Sequence, residues 1–303
     1  MSTPLLTIFT PTYNRAHTLP RLLDSLKAQT DKDFEWLVIN DGSTDNTSEL
    51  FCEWLSHDYG FEIRYEAVAN GGKNRAINQA LTMSRGKYFM ILDSDDMLVS
   101  DAVAFICDKM LEVKVDESFI GISGKRADWR TRRPLGYDSD SFSEEGYTDC
   151  NNLERDKYGL LKDMAEVFFT NKLKRYEFKV WKEEKFTPEE VVWNQIALDG
   201  YRLRWYNKIT YLCEYQQGGL SDSTWRLLRD NPMGYAAMWN QRQIIHTRYK
   251  EKINAVMQYT VCCILANEWK EILKCKYGLL SALLLPFSAV LAARRKKQID
   301  KMT

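Results

Sequence analysis

The first 125 residues alternate short apolar runs with segments whose apolar residues recur at helical spacing. The runs have the length of buried strands, and the segments between them have the length of single amphipathic helices. The predicted strands cover residues 5–10, 34–40, 61–66, 88–92 and 119–124, and the predicted helices cover residues 18–29, 45–55, 74–83 and 100–113. Repeated strand and helix units predict an α/β fold with a mainly parallel sheet and helices on both faces.

The pattern changes beyond residue 125. Residues 127–154 are charged and rich in Gly, Ser and Asp, which predicts a long loop beside the site. Residues 186–193 predict the start of a helix, and residues 201–215 alternate as strands do. Residues 235–275 predict one or two amphipathic helices.

Composition narrows the class of protein. The chain has 303 residues, of which 45% are apolar, and its formal net charge is zero, which argues against nucleic acid as the main partner. Its seven cysteines form no C-x-x-C pair, and its first residues have no basic stretch followed by a long apolar one. We therefore expect a cytoplasmic globular protein with reduced thiols.

The C-terminal segment is apolar with basic flanks. Residues 277–293 are mostly apolar, and four basic residues follow them at positions 294–297. A helix of this length reaches about 25 Å, short of the ~30 Å hydrocarbon thickness, and Pro286 would break it. We therefore expect residues 277–297 to lie on the inner face of the cell membrane as an interfacial or re-entrant anchor. The alternative is a core helix hairpin with a solvated basic end.

The strongest candidate site is the acidic end of predicted strand 88–92, where Asp93, Asp95 and Asp96 follow one another closely. Crowded carboxylates at the end of a buried strand require a cation or hydrogen-bond donors. Mg²⁺ or Mn²⁺ held by one or two carboxylates and by substrate phosphates would meet that requirement. The alternative is a turn in which the acids cap the next helix. Ser100 is already a suitable N-cap for that helix, so the acids are not needed for this purpose.

Polar loops follow the first two predicted strands, at residues 9–15 and 40–47. Asp41 could accept a hydrogen bond from a base or a ribose, or it could start the next helix through an Asx turn, and the two readings remain open. Residues 70–78 contain two glycines, which allow a close approach of the backbone to a ligand, and Lys73, which can offset diphosphate charge. Ligands bind at the carboxyl ends of parallel strands, so these loops predict one site around Asp93.

Four motifs in this order resemble those of the family 2 glycosyltransferases with the GT-A fold, of the type that builds bacterial cell-surface polysaccharides. They are P-T-Y-N-R at residues 11–15, N-D-G-S-T-D-N-T at 40–47, N-G-G-K-N-R-A-I-N at 70–78 and L-D-S-D-D at 92–96. The resemblance implies a nucleotide-sugar-binding half at residues 1–125 and an acceptor-binding half at residues 126–234, with the variable loop and the base. Helices and a membrane-associating tail would form residues 235–303.

The resemblance also implies an inverting, metal-dependent transfer of a sugar from a nucleotide diphosphate, usually a UDP-sugar, to an acceptor hydroxyl. The residues that would bind the nucleotide or diphosphate are Pro11, Tyr13, Arg15, Asp41, Lys73, Asp93 and Ser94. Of these, Asp41 would contact the base of the nucleotide and Lys73 would lie near the diphosphate. Asp95 would hold the divalent metal, Mn²⁺ or Mg²⁺.

The family usually carries its catalytic base at a helix start after the variable loop, which here gives Glu189 and Glu190. Thr187, Pro188 and Glu190 fit a capping box that begins a helix at Pro188, so Glu190 already has a structural role. We therefore predict Glu189 as the base, with Glu190 as the alternate. A helix N-terminus favours the ionised carboxylate that a base needs.

No Q-x-x-R-W motif follows the candidate base, which favours single addition over processive synthesis. The expected acceptor is a saccharide linked to a lipid such as a polyprenyl carrier. Two other functions remain as alternatives: a nucleotidyltransferase that forms a nucleotide-sugar, and a non-catalytic sugar-nucleotide-binding protein. A dehydrogenase is disfavoured, because no G-x-G-x-x-G follows the first strand.

Overall fold

The computed structural model describes residues 3–135, 142–143, 145–160, 163–214 and 224–302. Within these ranges one mixed sheet has the strand order β3-β2-β1-β4-β8-β6-β9-β5, and β7 also pairs with β9. The strands are β1 (Leu6–Thr12), β2 (Phe34–Asn40), β3 (Glu62–Ala67), β4 (Tyr88–Ile91), β5 (Met97–Leu98), β6 (Phe119–Asp128), β7 (Tyr147–Cys150), β8 (Met164–Phe169) and β9 (Arg202–Cys213).

Helices connect and flank these strands, which confirms the predicted α/β fold. They are α1 (Leu19–Lys27), α2 (Thr47–Trp54), α3 (Lys73–Met83), α4 (Ala102–Val113), α5 (Thr170–Leu173), α6 (Glu190–Leu198), α7 (Thr224–Asp230), α8 (Pro232–Ile245), α9 (Tyr249–Leu265), α10 (Gly278–Leu283) and α11 (Leu285–Met302). Two 3₁₀ helices cover Asn152–Tyr158 and Trp269–Lys274. The pattern in α1 shows why its sequence is helical, since Leu19, Leu22, Leu23 and Leu26 are all buried at helical spacing.

Strands β1, β2, β3 and β4 are parallel, with Thr12 of β1 opposite Asn40 of β2. Their carboxyl ends therefore lie at the same edge of the sheet. Strand β8, which the sequence did not predict, runs antiparallel between β4 and β6. Its polar Glu166 interrupts a six-residue apolar run, and its pairing depends on strands far away in the sequence.

Two predicted boundaries are wrong. Residues 127–154 are not one long loop, because β6 continues to Asp128 and β7 lies within the segment and pairs with β9. Helix α4 begins at Ala102 with Asp101 in the capping position, so Ser100 is not its N-cap. Local sequence alone does not reveal the pairing partner that extends β6 or forms β7.

A buried charged cluster joins the first three parallel strands at their amino-terminal side. The carboxylate of Glu35 in β2 has no exposed surface. It accepts hydrogen bonds from the Thr7 hydroxyl at 2.6 Å and the Arg85 amide at 2.8 Å, and Arg64 Nη1 lies 2.9 Å from Glu35 Oε2. A buried carboxylate is tolerated when it is paired and hydrogen-bonded in this way.

The chain divides into two compact units, Met1–Glu177 with Asn194–Gln216, and Phe178–Trp193 with Gln217–Thr303. The first unit contains the sheet. The second is helical, with an apolar core that includes Met233, Tyr259 and Cys262. The expected boundaries at residues 125 and 234 divide the chain by function and not by packing, and they stay predictions.

The C-terminal segment forms two helices, with α10 ending at Leu283 and α11 beginning at Leu285. Pro286 lies in the first turn of α11, where its missing amide hydrogen costs no helical hydrogen bond. Among the described residues, no helix has both the length and the apolar character that crossing a bilayer requires.

Candidate active site

The loops after β1 and β2 are bonded to each other at the carboxyl edge of the sheet. The Asn14 amide donates to Ser43 Oγ at 2.9 Å, and the Thr44 amide donates to Asn14 Oδ1 at 2.7 Å. The Ala16 amide donates to Asp45 Oδ2 at 3.0 Å. Asn14 has φ of +53°, a left-handed conformation that Asn tolerates better than most residues. The predicted proximity of the two loops is therefore found.

Asp41 connects the second loop to the glycine segment before α3. Its carboxylate accepts hydrogen bonds from the Gly71 amide at 2.7 Å and the Gly72 amide at 2.8 Å. Gly42 permits this close approach, since its φ is +77° and a Cβ there would lie 2.9 Å from the Asn70 nitrogen. Asp41 thus has a structural role in shaping the loop, while its contact with a base stays a prediction.

Residues 93–96, here called the acid turn, follow β4 at the same edge. Lys73 Nζ, at the start of α3, lies 2.7 Å from Asp93 Oδ1. The Asp93 amide donates to the Tyr211 hydroxyl at 2.9 Å, and the Asp96 amide donates to the Asp93 carbonyl at 3.0 Å. The acid turn is therefore fixed by α3 on one side and by β9 on the other.

The three carboxylates of the acid turn differ in their electrostatics. Burial acts to raise the pKa of Asp93, but the charges of Lys73 and Arg126 outweigh it and lower that pKa. Burial and the charge of Asp93 raise the pKa of Asp95. Burial and the charges of Asp93 and Asp95 raise the pKa of Asp96 to about 7. Nearby cations thus offset much of the charge of Asp93 and less of the other two.

The remaining donor-side residues predicted from the sequence lie at the end of β1, in the loop after it and in the acid turn. Arg15 lies close enough to Asp95 to lower its pKa, against the larger effect of burial. Ser94 is buried, and its carbonyl accepts a hydrogen bond from the Thr18 hydroxyl at 2.7 Å. Pro11 lies in β1, half-buried, and Tyr13 follows that strand and is exposed. Which of these side chains contact a nucleotide stays a prediction.

The acid turn has the donor set that a hard divalent cation needs from a protein when a diphosphate supplies further ligands. Within the described residues, the Asp95 carboxylate makes no ion pair and no hydrogen bond to another residue. No group of three His, Cys, Asp or Glu side chains within them could hold a metal by itself. Mg²⁺ commonly binds through one or two carboxylates plus substrate phosphates, and Asp95 with Asp93 fits that arrangement.

The candidate bases lie in the second unit. Helix α6 begins at Glu190, two residues later than predicted. The Glu190 carboxylate accepts hydrogen bonds from Arg242 Nε and Nη2, both at 3.1 Å, so its two oxygens are held by one guanidinium. The Glu189 carbonyl accepts hydrogen bonds from the amides of Val192 and Trp193, which places Glu189 at the helix N-terminus. The predicted capping box is wrong, because α6 begins at Glu190 and does not have this residue at its third position. Glu190 has a structural role of another kind, as the partner of Arg242.

The sequence did not predict three residues that contact or influence the acid turn, namely Arg126, Tyr211 and Glu214. Arg126 in β6 places its guanidinium 4.4 Å from the centre of the Tyr211 ring and affects the pKa of Asp93 and Asp96. The Glu214 amide donates to Asp96 Oδ1 at 3.1 Å. A charged residue at the end of an apolar strand was the available signal for Arg126. Tyr211 and Glu214 gave none, because they lie 118 residues from their partners.

The sequence profile of "Glycosyl transferase family 2" matches residues 7–161, just over half of the chain. Chondroitin synthase of Pasteurella multocida is 39% identical over 111 residues, which are 37% of this chain and 11% of that protein. The teichoic acid poly(glycerol phosphate) polymerase of Staphylococcus epidermidis is 33% identical over 149 residues, 49% of this chain and 20% of that protein. The chain thus spans no more than about a fifth of these relatives.

Solved structures resemble the whole fold. Residues 1–349 of S. aureus TarS, crystallised with UDP-GlcNAc, align with a TM-score of 0.61 and 17% identity over 98% of this chain and 90% of theirs. The mannosyltransferase PcManGT of Pyrobaculum calidifontis, in complex with GDP-Man and Mn²⁺, aligns with a TM-score of 0.54 and 18% identity over 99% and 84%. At such identity the likeness concerns the fold. With the profile match and the ordered motifs, it identifies the chain as a member of glycosyl transferase family 2 with the GT-A fold.

Proposed function

We propose that the protein is an inverting glycosyltransferase that moves a sugar from a UDP-sugar to a hydroxyl of a saccharide acceptor. The observation that carries the proposal is the meeting of three loops at the acid turn, where Lys73 lies 2.7 Å from Asp93. Among the residues that the structure describes, none forms an ion pair with the Asp95 carboxylate. A diphosphate needs both a positive side chain and a metal to offset its charge. The UDP-GlcNAc complex of TarS supports a uridine nucleotide.

On the donor side, Pro11, Tyr13, Arg15 and Ser94 would line the nucleotide pocket, and Asp41 would contact the base. Lys73 would share its charge between Asp93 and the diphosphate. Asp95, with Asp93 beside it, would hold Mn²⁺ or Mg²⁺, and the Mn²⁺ complex of PcManGT supports this choice. When bound, the metal would stabilise the negative charge on the departing diphosphate.

The transfer itself requires a base for the acceptor. The acceptor oxygen forms a bond to the anomeric carbon while the bond from that carbon to the diphosphate oxygen breaks, and the electron pair leaves with the diphosphate. The acceptor proton passes to a carboxylate, and we assign this role to Glu189. Glu190 is the weaker candidate because both of its carboxylate oxygens already accept hydrogen bonds from Arg242.

We further propose a lipid-linked acceptor in surface polysaccharide assembly and a peripheral position on the inner face of the cell membrane. Leu279, Leu283, Phe287 and Val290 are 84%, 75%, 67% and 56% exposed, at intervals of four, four and three residues. Lys274, Lys276, Arg294, Lys296 and Lys297 are exposed before and after them. Apolar side chains between basic residues suit the surface of an anionic membrane.

A ligand panel tests the donor assignment. We expect UDP and at least one UDP-sugar to raise the melting temperature in Mn²⁺ or Mg²⁺, since a ligand at 100 times its Kd stabilises a protein by about 2.7 kcal/mol. EDTA should remove most of this shift, and GDP should give a smaller one. Stabilisation by GDP instead of UDP would contradict the uridine assignment. Binding without any release of UDP from a UDP-sugar in the presence of saccharides would favour a non-catalytic binding protein.

A further inference from the structure

Helix α1 holds the main chain of the acid turn. The Thr18 hydroxyl, just before the helix, donates to the Ser94 carbonyl at 2.7 Å. Arg21 Nη2, in the first turn of the helix, donates to the Asp95 carbonyl at 2.9 Å. Two consecutive carbonyls of the acid turn are therefore bonded to side chains that lie more than seventy residues earlier in the sequence.

Arg21 also connects the acid turn to the end of β9. Arg21 Nη1 lies 2.7 Å from Glu214 Oε2, and the Glu214 amide donates to Asp96 Oδ1 at 3.1 Å. Burial acts to raise the pKa of Glu214, but its hydrogen bond and charge interaction with Arg21 lower it. Arg21, Glu214, Asp96 and Asp95 thus form a closed ring of contacts, and Asp95 is the residue assigned to the metal.

A second arginine has nearly the same partners. The guanidinium of Arg21 lies 4.9 Å from the centre of the Trp129 ring, and that of Arg130 lies 5.1 Å from it. Arg130 Nη2 lies 3.3 Å from Glu214 Oε1. What distinguishes Arg21 is its hydrogen bond to the acid turn. Arg130 therefore offers a matched comparison within the same cluster.

We propose that Arg21 is a positioning residue for the metal and diphosphate, acting through the main chain of Asp95. This inference rests on the proposed function. A carboxylate binds a cation well only when its backbone is already in the required orientation, because reorientation on binding costs free energy. Residues that orient a metal ligand typically contribute 10–100-fold to metal affinity. Arg21 would supply this orientation through its hydrogen bond to the Asp95 carbonyl and would not itself be a ligand of the metal.

The test is a titration of the full chain with Mn²⁺ in the presence of UDP, followed by electron paramagnetic resonance of free Mn²⁺. For Arg21→Met we expect an affinity for Mn²⁺ about 10–100-fold lower than that of the unaltered protein. For Arg130→Met we expect a loss below about fivefold, because its ion pair is exposed. Arg21→Lys keeps the charge beside Glu214 and should recover part of the affinity.

The outcomes separate the two proposals. If the unaltered protein binds neither Mn²⁺ nor UDP, the proposed function fails, and the role of Arg21 fails with it. If the unaltered protein binds both, and Arg21→Met binds Mn²⁺ equally well, only the role of Arg21 is wrong. An equal loss in Arg21→Met and Arg130→Met would also overturn it. Should Arg21→Met not fold, Arg21→Lys must still bind more weakly than the unaltered protein for the proposal to stand.

Discussion

Lys73 Nζ lies 2.7 Å from Asp93 Oδ1, at the point where the glycine segment before α3 meets the end of β4. Both side chains are partly exposed, at 18% and 28%, so the pair is accessible to a ligand. Lys73 neutralises the carboxylate of Asp93, so a cation would bind mainly at the carboxylate of Asp95. The same ammonium can exchange part of its interaction with Asp93 for one with a diphosphate.

Replacing Lys73 tests this exchange. For Lys73→Met we expect an affinity for UDP about 10–100-fold lower, because a hydrogen bond to a charged group contributes about 1.5–3 kcal/mol. Isothermal titration calorimetry with UDP and Mn²⁺ measures the change. Lys87→Met removes the same charge from an exposed position just before β4, at the opposite edge of the sheet, and should bind normally. Equal losses in both variants would point to the overall charge of the protein.

Replacing Asp95 tests the metal assignment. For Asp95→Asn we expect Mn²⁺ to give no further rise in melting temperature when UDP is present, since the amide is a much poorer ligand for a hard cation. Thermal unfolding with and without Mn²⁺ measures the effect. Asp101→Asn, which removes an exposed carboxylate paired with Lys208 at 2.6 Å, should keep the Mn²⁺ response. A full response in Asp95→Asn would contradict the assignment.

The two glutamates at the start of α6 should behave differently. For Glu189→Gln we expect kcat to fall at least about 100-fold with donor binding intact, as for loss of a general base. For Glu190→Gln we expect a smaller change in kcat and a loss of stability of up to about 1 kcal/mol, since its pair with Arg242 is part-exposed. The assay follows UDP release from the donor that the ligand panel identifies. The opposite ranking of kcat would make Glu190 the base.

The buried Glu35 cluster should stabilise the first unit. For Glu35→Gln we expect the free energy of unfolding to fall by about 3 kcal/mol, because Arg64 would lose its negatively charged partner in a largely buried pair. Urea unfolding followed by the fluorescence of the buried Trp36 measures this. Glu62→Gln, on the neighbouring strand, removes an exposed pair with Arg85 and should cost less than about 1 kcal/mol. Similar costs would mean that burial of the charge matters little.

The exposed apolar residues of α10 and α11 should mediate membrane binding. For Leu283→Ser with Phe287→Ser we expect at least a tenfold loss of binding to phosphatidylglycerol vesicles, since each buried side chain contributes about 1.5–3 kcal/mol. Cosedimentation measures the effect, and vesicles of phosphatidylcholine alone should bind the unaltered protein more weakly. Leu111→Ser with Val115→Ser alters two exposed apolar residues elsewhere and should bind normally. Unchanged binding in the first variant would exclude this surface.

The sequence predicted the acid turn and the polar loops after β1 and β2, because each of these is a short contiguous segment. The apolar run of β4 and the acids that follow it are contiguous, and the loops after β1 and β2 begin where their strands end. Parallel pairing then places these loops at one edge without further information. For this reason the sequence could predict that the loops after β1, β2 and β4 lie at one edge, while the contacts of their side chains with a nucleotide stay predictions.

The rest of the site depends on contacts between residues far apart in the chain. Glu190 was expected to cap its own helix, but its carboxylate binds Arg242, 52 residues later. Arg21 reaches a carbonyl 74 residues away, and nothing in α1 marks it out from other exposed or half-buried arginines. Strand β8 was missed for a related reason, since its partners β4 and β6 determine its conformation.

The hydroxyl of Tyr211 accepts a hydrogen bond from the amide of Asp93, and the amide of Glu214 donates one to the carboxylate of Asp96. Tyr211 and Glu214 both lie beyond the family match, which ends at residue 161. A fragment or chimera cut at that limit would therefore carry the four motifs of residues 11–96 and lack two of the supports of its acid turn. Grafts between family members should therefore transfer residues up to 214 together. The acid turn follows β4, whereas Tyr211 and Glu214, which hold it, lie 118 residues later in the chain.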